Sequence, residues 1–181
     1  MSDVSFKDFD ILSEQDKAEA VALVQRYDQL EVQDGCQGDF ISFIKHMWPD
    51  FIEGRHHKII ANKFNKIADG KLKRLIVCLP PRHSKSEFAS TFFPAWMMGR
   101  RGNLKIIQTT HTAELAVRFG RKVRNIIDST EYQHIFPDLK LQADNKSAGR
   151  WTSNQEGEFF AAGVGGAITG RGADLLIIDD P

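Results

Sequence analysis

The chain has 181 residues, of which 41% are hydrophobic and 27% charged, and its formal net charge is zero. This composition is typical of a soluble globular domain with a core of its own. No apolar run reaches the ~18 residues that span a bilayer, and no basic and then apolar leader opens the chain. We therefore expect a cytoplasmic protein with no membrane partner.

Charge is distributed unevenly along the chain. Residues 1–34 hold nine acidic and three basic side chains, a net charge of −6, which leaves +6 for residues 35–181. Ser13, Asp16 and the apolar residues after them predict a helix over about 14–30, and the polar stretch 31–38 predicts a linker. We expect a helical arm and linker over 1–38 and a main domain over 39–181. The acidic arm suits either a body that meets a polyanion or a solvated charged helix.

Two helical patterns precede the central motif. The first opens at Phe40 and stops before Trp48-Pro49, because the residue before a proline disfavours helical backbone. The second covers Arg55–Ala68, with apolar residues on one side and lysines on the other.

The stretch 73–87 has the order strand, phosphate loop, helix. An apolar run, in which Cys78 is expected to be a core residue, ends at Pro80-Pro81, and Lys85-Ser86 opens a helix after a polar loop. In this order, N–H groups at a helix N-terminus bind phosphate, an ammonium reaches the β and γ phosphates of ATP, and a hydroxyl binds Mg²⁺.

This match to the P-loop pattern is imperfect, because Leu79 and Ser84 stand where its glycines should be. The alternative is a Pro-Pro turn followed by a Ser-capped helix. The predicted ATP-binding residues are Pro81, Arg82, His83, Ser84, Lys85 and Ser86.

The chain then alternates between strand and helix. A strand is predicted over Leu104–Thr109 and a helix from the cap Thr112 to about Ile127, so the order resembles the opening of a doubly wound parallel sheet. The helix carries Arg118, Arg121 and Lys122, which form either a solvated face or a contact to the phosphate backbone of duplex DNA. Further on, residues 150–152 and 158–161 predict a hairpin, and five glycines in 163–172 predict a mobile loop.

A second apolar strand ends in paired carboxylates at Asp179 and Asp180. This is the form of a Walker B element, in which Asp179 and Ser86 would hold Mg²⁺ from two sides. The two motifs together, about a hundred residues apart, predict an ATP and Mg²⁺ site.

Four segments resemble the ATPase part of the large terminase subunit, the DNA-packaging motor of tailed bacteriophages and their prophages. They are LPPRHSKSE, FPAWMMGR, AELAVRFGRKVRNII and GGAITGRGADLLIIDDP, and the resemblance runs from about Arg55 to Pro181. It implies a P-loop NTPase fold of the additional-strand type, a three-layer α/β/α domain with a mostly parallel sheet, cut off after the Walker B strand. It also implies coupling of ATP hydrolysis to movement of double-stranded DNA into a procapsid, in a bacterial host that is infected or lysogenic.

The same resemblance implies partners and catalytic residues. The expected partners are double-stranded DNA, the portal protein, the small terminase subunit and further copies of the chain in a ring. Arg171 is the expected arginine that reaches a neighbour's γ-phosphate, with Arg150 in reserve. Asp180 stands where the family has a catalytic glutamate, so its role as the base, as a second metal ligand, or as neither stays open.

Two other functions fit the sequence: a helicase-like P-loop ATPase, or a truncated, non-catalytic prophage remnant that only binds nucleotide or partners. Family members continue into a coupling motif and a nuclease domain. We expect the 181 residues alone to lack nuclease activity, to hydrolyse ATP slowly, and to associate through the sheet edge beside 175–178.

Overall fold

The computed structural model describes residues 13–166 and 168–181, without the side chains of 143–146. The fold is α/β, with one five-stranded mixed sheet and helices packed against it. The helices are α1 (Glu14–Gly38), α2 (Phe40–Met47), α3 (Arg55–Ala68), a π-helix (Glu87–Phe92), α4 (Phe93–Arg100), α5 (Ala113–Ile127) and α6 (Thr130–Ile135). The strands are β1 (Lys105–Thr110), β2 (Leu141–Lys146), β3 (Arg150–Ser153), β4 (Glu158–Gly163) and β5 (Leu175–Asp179).

The strand order is β2-β3-β4-β1-β5. Strand β1 pairs in parallel with β4 and β5, whereas β3 pairs antiparallel with both β2 and β4. The prediction of a mostly parallel sheet is therefore wrong. The sheet is mixed because the hairpin of β3 and β4, which the sequence predicts, pairs with the main sheet through β4. Strand β2 then pairs antiparallel with β3.

The predicted strand over 73–79 does not form. These residues have no regular secondary structure and pair with no strand among the described residues. Ile76 is 89% exposed and Cys78 is also exposed, while Leu75, Val77 and Leu79 pack partly against the core. The apolar run thus buries only alternate side chains, so the expectation that Cys78 is a core residue is wrong.

Helical structure begins at Lys85 and passes at once into the π-helix. There the N–H of Phe93 bonds to the carbonyl of Phe88, five residues back. Pro94 comes just after the π-helix, whose wider turn changes the hydrogen-bond register at the point where the proline lacks an N–H. The change of register explains how an aromatic helix accommodates a proline.

Aromatic rings fill the space between the first helices and α4. Phe40 is fully buried and contacts the rings of Phe64, Phe88, Phe93 and Trp96 at centroid distances of 5.3 to 5.7 Å. This cluster fixes the π-helix, and with it the loop that precedes Lys85, against α2 and α3. Burying several aromatic side chains contributes on the order of 1.5–3 kcal/mol each.

Three elements differ from the sequence predictions. Helix α1 continues to Gly38 through the predicted linker, while α6 and β2 form in a region for which no element was predicted. Asp39 ends α1 and caps α2, its carboxylate accepting from Ser42 N–H at 3.0 Å. No helix among the described residues is long and apolar enough to cross a membrane.

Candidate functional site

The structure brings the two predicted motifs together. The Lys85 ammonium contacts the Asp180 carboxylate directly and lies 3.6 Å from Asp179 Oδ1. The lysine stands at the start of the helix that follows the loop, and the carboxylates lie at the carboxyl end of β5. Ligands of open α/β sheets bind at this edge.

Asp179 is held in a defined orientation. Its side chain is buried, and Ser90 Oγ donates a 2.8 Å hydrogen bond to Oδ2. Ser90 lies in the π-helix, four residues after Ser86. It is not part of either sequence motif, so the sequence analysis does not predict it as a site residue. The spacing of Ser86 and Ser90 could have indicated it, because residues four apart lie on the same side of a helix.

Lys85 is charged at neutral pH. Its hydrogen bond to Asp180 raises its pKa, the nearby Asp179 adds to this effect, and burial opposes it. The two carboxylates that contact this ammonium offset its charge, so phosphate oxygens would bind it only in their place.

The loop before Lys85 has an unusual backbone. Arg82 and Ser84 have φ of 63° and 61°, in the left-handed region that favours glycine. Ser84 is one of the two positions at which the P-loop pattern has glycine, so the backbone takes the shape that a glycine would give. Leu79, at the other position, is not among the residues with positive φ.

Three histidines lie beside the loop. The rings of His56 and His57 are 3.8 Å apart, and His83, in the loop, is 5.5 Å from His56. Gly54 N–H donates to His57 Nδ1 at 2.9 Å, so the neutral ring carries its proton on Nε2, which is buried and has no partner among the described residues. Burial and then His56 lower the pKa of His57, against an opposing effect of Glu53.

The arginine predicted to act on a neighbour lies elsewhere. Arg171 Nη1 donates to Glu158 Oε1 at 2.8 Å, and its guanidinium lies 4.0 Å from the centre of the Phe160 ring. Arg150 Nε donates to the same oxygen at 2.9 Å. Glu158 begins β4, five residues before the level of Asp179, which is about 17 Å along the sheet. The structure therefore does not bring Arg171 or Arg150 to the Lys85 site of the same chain.

The basic residues of α5 separate into two kinds. Arg118 and Arg121 are exposed, whereas the Lys122 ammonium contacts the Glu87 carboxylate next to Ser86. Lys122 thus contacts the π-helix, while the two arginines are exposed to solvent.

One cavity of the structure lies away from the loop. It has a volume of about 560 Å³ and lies near the amino ends of β1 and β4. Its walls include Gln37, Arg100, Asp138 and Gln155. It contains none of the predicted site residues.

The donor set fits Mg²⁺. Asp179, Asp180, Ser86 and Ser90 supply oxygen atoms, the ligands that Mg²⁺ prefers, and one or two carboxylates suffice when phosphate oxygens complete the shell. In the part of the chain that the structure describes, no three His, Cys, Asp or Glu side chains form a metal site alone. Mg²⁺ at this position would need further oxygen ligands from outside these residues.

Comparison with known proteins gives no relative. No family model matches the chain, and neither curated proteins nor solved structures give a match.

Proposed function

We propose that this chain is the ATPase portion of a phage terminase large subunit, which couples hydrolysis of Mg-ATP to movement of double-stranded DNA into a procapsid. The observation that carries the proposal is the contact of Lys85 with Asp179 and Asp180, 94 and 95 residues away. The loop before Lys85 supports it, since its left-handed residues are of the kind found in backbone turns that bind anions.

Each side chain has a role in this proposal. Lys85 would exchange the two carboxylates for the β and γ phosphates of ATP. Asp179, oriented by Ser90, and Ser86 would hold Mg²⁺, which neutralises phosphate charge when bound. Asp180, released from Lys85, would be the carboxylate available to orient or deprotonate the attacking water.

The proposed fold family, location, partners and role of Arg171 follow from the resemblance to terminase large subunits. We place the fold among the P-loop NTPases of the additional-strand type, and the protein in the cytoplasm of an infected or lysogenic bacterium. Its partners would be DNA, the portal protein, the small terminase subunit and further copies in a ring. Arg171 would act on the neighbouring copy.

A non-catalytic nucleotide-binding protein is the second candidate. It is favoured by the contact between Asp180 and Lys85, because this contact engages the only residue proposed as the base. A helicase-like ATPase would use the same site, and no described residue separates it from a packaging motor.

The test is Mg-ATP binding by calorimetry. Lys85→Ala should abolish binding, because the phosphate charge is left without its ammonium, while Lys140→Ala, which removes an exposed lysine remote from the loop, should bind as the wild type does. Equal affinity of the wild type and Lys85→Ala would overturn the proposal. Binding without hydrolysis in the wild type would favour the non-catalytic candidate.

A further inference from the structure

Helix α1 is anchored to the body only near its end. Cys36 is its one buried residue, and the Trp96 indole donates to the Cys36 carbonyl at 2.8 Å. Gln33 and Gln37 donate to the carbonyl of Ile135. At 1.5 Å per residue, the stretch 14–32 before this anchor is a rod about 28 Å long.

This rod exposes apolar side chains. Six of them are 45 to 67% exposed: Val21, Leu23, Val24, Tyr27, Leu30 and Val32. Ala20, Val24, Tyr27 and Glu31 follow one another at steps of four, three and four residues, so they lie on one face. This side of the helix combines exposed apolar side chains with Glu31, and apolar side chains exposed on a projecting helix indicate an interaction surface.

The negative charge of this face restricts which partner surface can bind to it. Asp28, Glu31 and Asp34 lie among these apolar residues and have no ion-pair partner among the described residues. A parallel pairing of α1 with α1 of another copy would place these carboxylates against one another. Residues 1–12 are also acidic, with three aspartates and one lysine. The face therefore calls for a basic helix or groove with an apolar centre.

Helix α3 presents such a surface. Arg55, Ile59, Asn62 and Lys66 repeat the steps of four, three and four residues, and Ile59 is 54% exposed. Arg55, Lys66 and the adjacent Lys63 are exposed, and none has an ion-pair partner within the described chain. The two faces are thus opposite in charge, and each exposes apolar side chains.

We propose that α1 of one copy docks on α3 of a second copy. Val24 and Tyr27 cover Ile59, and the carboxylates of Asp28 and Glu31 contact the basic side chains of α3. Because two different surfaces meet, the contact is head to tail and can continue from copy to copy. The inference rests on the two surfaces and not on the proposed function.

The first test exchanges charges and measures association by sedimentation across a wide range of protein concentration. Lys63→Glu with Lys66→Glu should lower the association constant by about tenfold or more, as should Asp28→Lys with Glu31→Lys, because like charges then face each other. A mixture of the two variants should associate again, each supplying the surface that suits the other. Loss without recovery in the mixture, or a wild type that stays monomeric, would overturn the proposal.

The second test traps the contact by disulfide formation. In a Cys78→Ser background, Tyr27→Cys chains mixed with Ile59→Cys chains should form a mixed disulfide dimer, since Cys36 is buried. Helix content measured by circular dichroism checks that the variants fold. Dimers formed by Tyr27→Cys alone at an equal rate would show that α1 pairs with α1 and would refute docking on α3.

Discussion

Ser90 and Asp179 form a buried hydrogen bond, 2.8 Å long, between the π-helix and the end of β5. We expect Ser90→Ala to destabilise the fold by about 1–3 kcal/mol, because a buried carboxylate oxygen loses its donor. The same variant should weaken Mg-ATP binding, because Asp179 loses its fixed orientation. Urea unfolding and calorimetry measure the two effects.

Thr91 supplies the matched control for this prediction. It is buried in the same π-helix, and its hydroxyl has no partner among the described residues. Thr91→Val should therefore be neutral or slightly stabilising and should leave Mg-ATP affinity unchanged. If Ser90→Ala is as harmless as Thr91→Val, the hydrogen bond does not position Asp179.

The left-handed backbone of Ser84 predicts that glycine at this position preserves or increases the affinity for Mg-ATP. A residue other than glycine in this region costs on the order of 1 kcal/mol, a cost that glycine lacks. Ser84→Gly should therefore bind Mg-ATP at least as tightly as the wild type, whereas Ser84→Val, with a branched side chain, should bind more weakly. Calorimetry on the two variants tests the ranking, and a reversed order would contradict the loop conformation.

The buried His57 predicts a loss of stability in acid. Its pKa is lowered in the fold by burial, while the unfolded chain has a value of about 6.5. The unfolded state thus binds more protons below pH ~6.5, so the free energy of unfolding should fall as the pH drops from there toward the lowered pKa. Urea titrations at a series of pH values measure the slope.

His57→Gln tests the assignment of that slope. A glutamine at this third helical position can still accept from the N–H of Gly54, as in a capping box, but it does not titrate. The slope should decrease in His57→Gln and persist in His134→Gln, which changes an exposed histidine. An undiminished slope in His57→Gln would assign the effect to other groups.

The sequence predicted the parts of the fold that local patterns encode. The helices α3 and α5, the hairpin of β3 and β4, and strand β5 follow from periodicity and caps, such as Thr112, whose hydroxyl accepts from Leu115 N–H. Strand pairing is a tertiary property, so the run 73–79 was predicted as a strand although it pairs with nothing described. The same limit explains the mixed sheet.

The candidate site was predictable where a motif fixes its residues. The contact of Lys85 with Asp179 and Asp180 follows from two motifs at one sheet edge, but Ser90 and the His57 tautomer depend on packing between elements. Lys122 was grouped with Arg118 and Arg121 because all three share a basic helix. Its ion pair with Glu87 depends on how α5 lies against the π-helix.

That ion pair predicts different roles for the basic residues of α5. If Arg118 and Arg121 contact the DNA backbone, each alanine variant should lower the salt slope of binding to unrelated duplexes by up to about 0.9. Lys122→Ala should change this slope less and should instead weaken Mg-ATP binding, because the unpaired Glu87 carboxylate then lies beside the phosphate loop. Equal slopes for wild type and the two arginine variants would leave these residues as a solvated face.

The position of Arg171 predicts that it acts between copies or not at all. It lies about 17 Å along the sheet from the level of Asp179, held by Glu158 and stacked on Phe160. If it completes a neighbour's site, Arg171→Ala and Lys85→Ala should each lack ATPase activity. A mixture of the two should recover part of it, because the Lys85→Ala chain supplies Arg171 to an intact site. Arg150→Ala controls for loss of a cation from Glu158 and should retain activity. Full activity of Arg171→Ala, or a mixture as inactive as its components, would exclude this role for Arg171.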